Sequence, residues 1–278
     1  MNISKGEKLF FENKPSEAFP LLKEGAKQEN PRDMALLSLI YNYGICEPRR
    51  NTRLRDKLES RILDMQEPLG IVLYGCAGKK AVSELSNAVE NGDKLAKLVL
   101  GRHYLFRTRK NAEKGEEMLR ELSDDGVSIA SFGLSRYYER KKDKRFKEYG
   151  EKAFSQGCLE IAYYLSTVLK EEESAEWTER GANAGYAECI GKIGFYYREG
   201  CCGYEKSPEK AEKLYKKAMQ LGSALAACYL GELYEENDDE KKAIEMYKKA
   251  VGIAVKYGER RLVADICEKL YELTEKED

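Results

Sequence analysis

The chain has 278 residues, 35% of them charged and 42% hydrophobic, with a formal net charge of −1. No apolar run reaches the eighteen or so residues of a membrane span, and Met1 to Phe11 lacks a signal-peptide core, so the expected setting is cytoplasmic. A single histidine leaves little material for imidazole-based catalysis.

From the N-terminus onward one pattern recurs. It is clearest at Ala211, Tyr215, Ala218 and Gly222, followed by Leu230, Gly231 and Tyr234. Counted from Gly222, these lie at −11, −7, −4, 0, +8, +9 and +12. The same frame sits on Glu29, Gly92, Gly126, Gly157, Gly185, Gly222 and Ala254. A period in the low thirties marks a repeat architecture. Two helices per repeat follow, A after the anchor and B leading into the next one.

The first repeat, through Leu37, Ser38 and Tyr41 of a helix A, is recognisable. Between Arg49 and Gly78 the frame blurs. Leu54, Leu58, Ile62 and Met65 form a B-like stripe, and Ile71 to Tyr74 falls in the next A helix, with the anchor placed only to within about four residues. From Gly92 the repeats are clearer. Position +8 reads Leu100, Leu134, Leu165, Ile193 and Leu230; position +9 reads Gly101, Ser135, Ser166, Gly194 and Gly231. Positions +8 and +12 share a face, and a small +9 residue lets a second helix approach closely. Small residues also dominate B at −11 and −4, as at Ala81 and Ala88. Gly at an anchor suits a helix end with positive φ. Ser207-Pro208 reads as an N-cap followed by Pro at the first helical position.

Anchor spacings of 34, 31, 28, 37 and 32 from Gly92 to Ala254 vary mainly between the helices. Gly200-Cys-Cys-Gly-Tyr204 is a long connection, and Lys170 to Glu173 a short one. Glu171 to Glu173 and Asp238 to Glu240 read as acidic loops. Glu259 to Glu275 reads as a capping helix. The expected organisation is one array over 1–278, degenerate over 1–91, clearer over 92–254 and capped over 255–278. Dividing by the period gives an all-α α/α solenoid of about eight hairpins plus a C-terminal capping helix.

The run A-x-x-x-x-L-G-x-x-Y, a loop, then K-A-x-x-x-Y-x-K-A-x-x-x-G, resembles the Sel-one-like repeat, a branch of the tetratricopeptide superfamily. Ala187 to Gly222 carries it best, through Ile193-Gly194, Tyr197, Gly200, Lys210-Ala211, Tyr215 and Lys217-Ala218. Gly115 and Phe146 depart from it at −11, and Leu169 at +12. The resemblance implies a right-handed superhelix and work as a protein-interaction scaffold or adaptor. It also implies that A helices line the concave side.

On that side +10 and +13 should escape the packed face. Asn42, Arg102, Arg136, Phe195, Arg198 and Glu232 are therefore the candidate partner-binding residues, with guanidinium clamps and an aromatic anchor among them. Charge is unevenly placed. Residues 1–150 hold 29 Lys+Arg against 23 Asp+Glu, and residues 151–278 hold 19 against 26, giving +6 and −7. Arg49, Arg50, Arg107, Arg109, Lys141 and Lys142 lie in early inter-helix connections and suggest a basic ridge. The alternative function is binding of nucleic acid or another phosphate-bearing ligand there; the plainer reading is a solvated surface.

No catalytic constellation, cofactor site or metal site is read. His103 has no histidine partner and reads as a partly buried helix residue. Eight cysteines include no C-x-x-C, and Cys201-Cys202 reads as loop. The expected partner is a protein or peptide, with no membrane.

Overall fold

In the computed structural model, residues 3–46, 50–76 and 78–274 are described, without the side chains of Arg109 and Glu171. The described residues form seventeen α-helices and one 3-10 turn, with no strand. They pair in chain order as A and B helices. The hairpins are α1 (Lys5–Phe11) with α2 (Pro15–Lys27), α3 (Pro31–Tyr43) with α4 (Thr52–Asp64), and α5 (Pro68–Tyr74) with α6 (Lys79–Glu90). Next come α7 (Lys94–Arg107) with α8 (Ala112–Asp124), α9 (Ser128–Arg140) with α10 (Arg145–Ser155), and α11 (Glu160–Val168) with α12 (Glu171–Asn183). Last are α13 (Ala187–Glu199) with α14 (Pro208–Gln220), α15 (Ala224–Glu235) with α16 (Glu240–Tyr257), and the single helix α17 (Arg260–Thr274). Eight hairpins and a terminal helix match the number expected from the period.

The packing divides into two compact units. The first is Met1–Cys46 with Leu54–Ile161, and the second is Glu47–Arg53 with Ala162–Asp278.

The columns of the repeat account for how each hairpin closes. Gly194 of α13 lies against Tyr215 of α14, and Gly231 of α15 against Tyr247 of α16. A methyl group added at either glycine would come within 2.8 Å of the ring. Gly101 of α7 receives Leu119 of α8 in the same way, at 3.0 Å. At these three +9 positions the residue is glycine because the −7 side chain of its own hairpin fills that space, and both tyrosines are fully buried there. Gly115 replaces the −11 alanine because α7 and α8 come closer still: a Cβ there would stand 2.8 Å from the Gly101 carbonyl oxygen. Leu169 departs from tyrosine because α11 ends at Val168, leaving +12 just outside the helix.

The anchors adopt left-handed backbone. Gly92, Gly126, Gly157, Gly185 and Gly222 have φ between 81° and 96°, and Glu29 has 58°. The blurred anchor is Gln66, at φ 58°. Its A helix, α5, is only seven residues long and stops at Gly75, so the +12 position is never reached. Ala254 is not a helix end. α16 runs on to Tyr257 and ends at Gly258, φ 80°, so residues 255–257 complete a B helix instead of starting the cap.

Glu171 to Glu173 also differ from expectation. They form the first turn of α12, where the Glu172 and Glu173 carboxylates are favoured by the positive end of the helix dipole. Asp239 caps α16 by accepting from the Lys242 amide.

In the first unit a buried ion network holds α1, α3 and α7. The Arg32 guanidinium donates to Glu7 at 2.8 Å and to Asp93 at 2.7 Å. Asp93 also accepts from the Ala96 amide and caps α7.

Candidate functional site

The A helices of the two units behave differently. In the first, side chains fill the space beside them. Tyr43, the last residue of α3, meets Phe132 of α9 edge-to-face at 5.0 Å. The Arg102 guanidinium of α7 lies 5.2 Å from the Tyr43 ring, and the Cys158 thiol faces the Tyr43 carbonyl oxygen at 3.7 Å. Arg102, expected as a clamp for a partner, is thus stacked on the chain's own tyrosine. Asn42 accepts from Arg55 at 2.8 Å. Arg136 is half-buried and engaged within the fold.

In the second unit three successive A helices leave a cleft of about 170 Å³. Gly191 and Ala226 form its floor, where α13 and α15 approach so closely that a Cβ on Gly191 would stand 3.3 Å from that of Ala226. Tyr163 and Thr167 of α11 wall one side, and Leu225 and Tyr229 of α15 the other. Phe195 of α13 lies between them, its ring tilted against Tyr229 at 5.8 Å. Aromatic rings half-exposed on helices give rigid contact area at low entropic cost.

Two charged groups of α13 also line the cleft, Glu188 and Lys192. The Lys192 amine donates to the Ser166 carbonyl oxygen at 2.6 Å, and contacts the Ser166 and Ser174 hydroxyls at 3.1 and 3.3 Å. Burial pushes its pKa below the ordinary lysine value. Because its three donors have acceptors in the fold, Lys192 sets the field of the cleft while remaining anchored.

Beyond the cleft, along the same helices, Arg198 bonds to Glu232 at 2.9 Å and to Glu236. Glu232 also accepts from Lys269 of α17. Burial would raise the Glu232 carboxyl, but the bonds from Lys269 and Arg198 outweigh it and hold the pKa below the usual glutamate range. The charge chain joins α13, α15 and α17 at one end of the groove.

Phe195, Arg198 and Glu232 therefore share one unit, and Asn42, Arg102 and Arg136 the other. Tyr163, Glu188, Lys192 and Tyr229 were not among the expected groove residues. On α13 the signal was available: Glu188, Lys192 and Phe195 stand at +3, +7 and +10, one stripe of a helix.

Of the basic residues, Arg49 lies outside the described residues, as does the side chain of Arg109. Arg50 is exposed and belongs to the second unit; Arg107, Lys141 and Lys142 are exposed in the first. The Lys141 amine sits 4.2 Å over the Tyr137 ring. Neighbouring Arg145 is held by Asp143 at 2.7 Å.

His103 is half-buried on α7, its ring 6.1 Å from that of Tyr104. Burial, and then the nearby Arg107 charge, lowers its pKa. Cys201 and Cys202 lie in the α13–α14 connection, with Cys202 at φ 54°. Among the described residues no three His, Cys, Asp or Glu side chains cluster as metal ligands, and no helix is long and apolar enough to cross a membrane.

No protein-family model matches the sequence, and no curated protein matches it. Solved structures do. The chain is similar to a Sel1 repeat protein from Oxalobacter formigenes, with TM-score 0.51 and 20% identity over 90% of this chain and 84% of that one. It is similar to a protective antigen of uropathogenic Escherichia coli strains that displays an SLR fold, with TM-score 0.51 and 20% identity over 99% and 67%. Yeast Tom70 aligns with TM-score 0.58 and 10% identity over all of this chain and 66% of that one. The likeness is one of fold: the chain has the α/α repeat architecture of Sel1-like and tetratricopeptide-like proteins.

Proposed function

We propose that the chain is a non-catalytic protein-interaction scaffold, and that the A-helix groove of its second unit receives a peptide or a partner domain. The observation that carries this reading is the cleft walled by Tyr163, Phe195 and Tyr229. Its aromatic walls are half-buried and already placed by close-packed helices, so little ordering remains to be done on binding. The Arg198–Glu232 pair at its end supplies a polar rim. The α/α repeat fold supports scaffold work in general, and the cleft supplies the specific surface.

The test is selection of peptides from a random display library on the immobilised full-length chain. Enriched peptides should bind the Phe195→Ala, Tyr229→Ala double variant at least about thirtyfold more weakly, as expected for loss of a central aromatic pair. Far-UV circular dichroism should show the fold retained. Absence of enrichment, or equal binding to the double variant, defeats the proposal.

Nucleic-acid or phosphate binding at the basic residues gains no support from their placement. It would show as affinity falling steeply with salt, whereas groove binding should be nearly flat.

A further inference from the structure

A second cleft, of about 620 Å³, opens in the first unit between α2 and α4. Met34, Leu37 and Tyr41 of α3 form its floor, and Leu54 and Leu58 of α4 one wall. The apolar stripe of α4 is incompletely covered by its own chain. Ile62 is fully buried, Leu58 is half-buried, and Leu54 is 36% exposed.

The rim is unbalanced in charge. Lys23, Lys27, Lys57 and Arg61 face Glu29 and Asp64, an excess of two positive charges. Arg61 bonds to Glu29 across one end, and the Lys27–Glu24 pair is exposed on both sides, where such a pair contributes little. Thus an apolar trough lies between basic banks. α4 has thirteen residues, about 20 Å of helix, enough to accompany about three turns of a partner.

We propose that this cleft docks an amphipathic helix of another protein, its apolar face on Leu54, Leu58 and Leu37 and its flanks acidic. A helix laid in a groove presents anchors at i, i+3 or i+4, and i+7, which suits the two-turn stripe of α4. A second copy of this chain fits less well, because a two-fold contact sets like surface against like and so basic bank against basic bank. This surface is separate from the aromatic groove and does not depend on its function.

The experiment uses the full chain and a fluorescein-labelled helical peptide of about sixteen residues, with leucines at i, i+4, i+7 and i+11 and glutamates elsewhere. A second peptide carries lysines in place of the glutamates. Fluorescence anisotropy should show saturable binding of the glutamate peptide, and binding of the lysine peptide at least about tenfold weaker. Leu54→Gln, at a partly exposed position that leaves the fold intact, should weaken the glutamate peptide about tenfold. The pair Lys27→Glu, Lys57→Glu should do the same while improving the lysine peptide. Phe195→Ala, Tyr229→Ala should leave both unchanged, which separates this surface from the other groove. Equal binding of the two peptides overturns the proposal, as does binding indifferent to Leu54→Gln. A dimer in solution that Leu54→Gln dissolves would assign the cleft to a second copy and overturn it as well.

Discussion

Glycine to alanine inside a helix ordinarily stabilises, by about 1 kcal/mol. Two glycines of the α15–α16 hairpin should respond with opposite signs. Around Gly252 nothing lies within 4 Å of an added Cβ, and the residue is exposed on α16. Gly252→Ala should therefore stabilise by about 0.5–1 kcal/mol. At Gly231 the new methyl would stand 2.8 Å from Tyr247 Cε1 and 3.0 Å from Cδ1 and Cζ, well inside the ordinary carbon–carbon contact of about 3.5–4.0 Å. The Tyr247 ring is fully buried and its hydroxyl donates to Glu235, so it has no free direction in which to swing. Overpacking of this kind costs about 1–3 kcal/mol. Set against the helix gain, Gly231→Ala should destabilise by about 1–2 kcal/mol. A Tyr247→Leu background copies the Gly101–Leu119 pair and should remove about 1 kcal/mol of that penalty as a coupling energy. Urea unfolding followed by circular dichroism, with hydrogen exchange on the α15 and α16 amides, measures all four variants. If Gly231→Ala stabilises as much as Gly252→Ala, the account of the +9 column is wrong.

Two further outcomes follow from buried groups. Removing the guanidinium with Arg32→Met strands the Glu7 and Asp93 carboxylates, which are 3% and 2% exposed, and should cost about 3–5 kcal/mol at neutral pH. Burial already raises the Glu7 pKa above its ordinary value even with Arg32 present. Burial would raise Asp93 too, but its bonds from Arg32 and the Ala96 amide hold it below its ordinary value, and without Arg32 both carboxyls rise. The folded variant then takes up protons that the unfolded chain, titrating near the ordinary value of 4.5, does not. Its deficit should shrink as pH falls from 8 towards 5, measured as the difference in urea midpoint from the parent, and a deficit independent of pH would contradict the assignment. Maleimide should label Cys76, Cys202 and Cys267 quickly in the native chain, because all three are exposed. Cys158 and Cys228 should label only on unfolding. Both are buried, burial pushes their thiols up, Cys228 to about 11, and thiol reactivity follows the thiolate; fast native labelling of Cys158, read by mass spectrometry, would refute its placement.

The repeat was legible because its constraints are local. A small residue at +9 facing a large one at −7 recurs in the hairpins closed by Gly101 and Leu119, Gly194 and Tyr215, and Gly231 and Tyr247, so the pair leaves a column in the sequence. The Gln66 anchor was hidden because its residue is not glycine and because α5 stops at Gly75, removing the tyrosine position that would have confirmed the frame. Ala254 fitted the column yet lies within α16, where it is fully buried, because the left-handed residue that ends the helix comes four positions later at Gly258. The groove was only half legible. Phe195 stood out at +10, and Lys192 at +7 shares its stripe on α13, whereas Tyr229, at +7 on α15, is joined to them only by its ring contact with Phe195. Arg102 occupies the same +10 position, but its environment is set by Tyr43, a residue 59 positions earlier in the chain. No pattern within one repeat encodes that contact.

The seating of Arg102 on Tyr43 bears on how substitutions should be tolerated. In the first unit Arg102 at +10 is bound into aromatic packing, with its Nε buried, so exchanges there should be penalised as in a protein interior, whatever the ligand. In the second unit the same register opens onto the cleft at Thr167 and Phe195, so exchanges there should alter what is recognised while leaving the fold alone. A saturation library scored separately for abundance and for binding would part the two. Profiles that average repeats by register would blend them, and the variability that marks a recognition surface would be diluted by positions under a different selection.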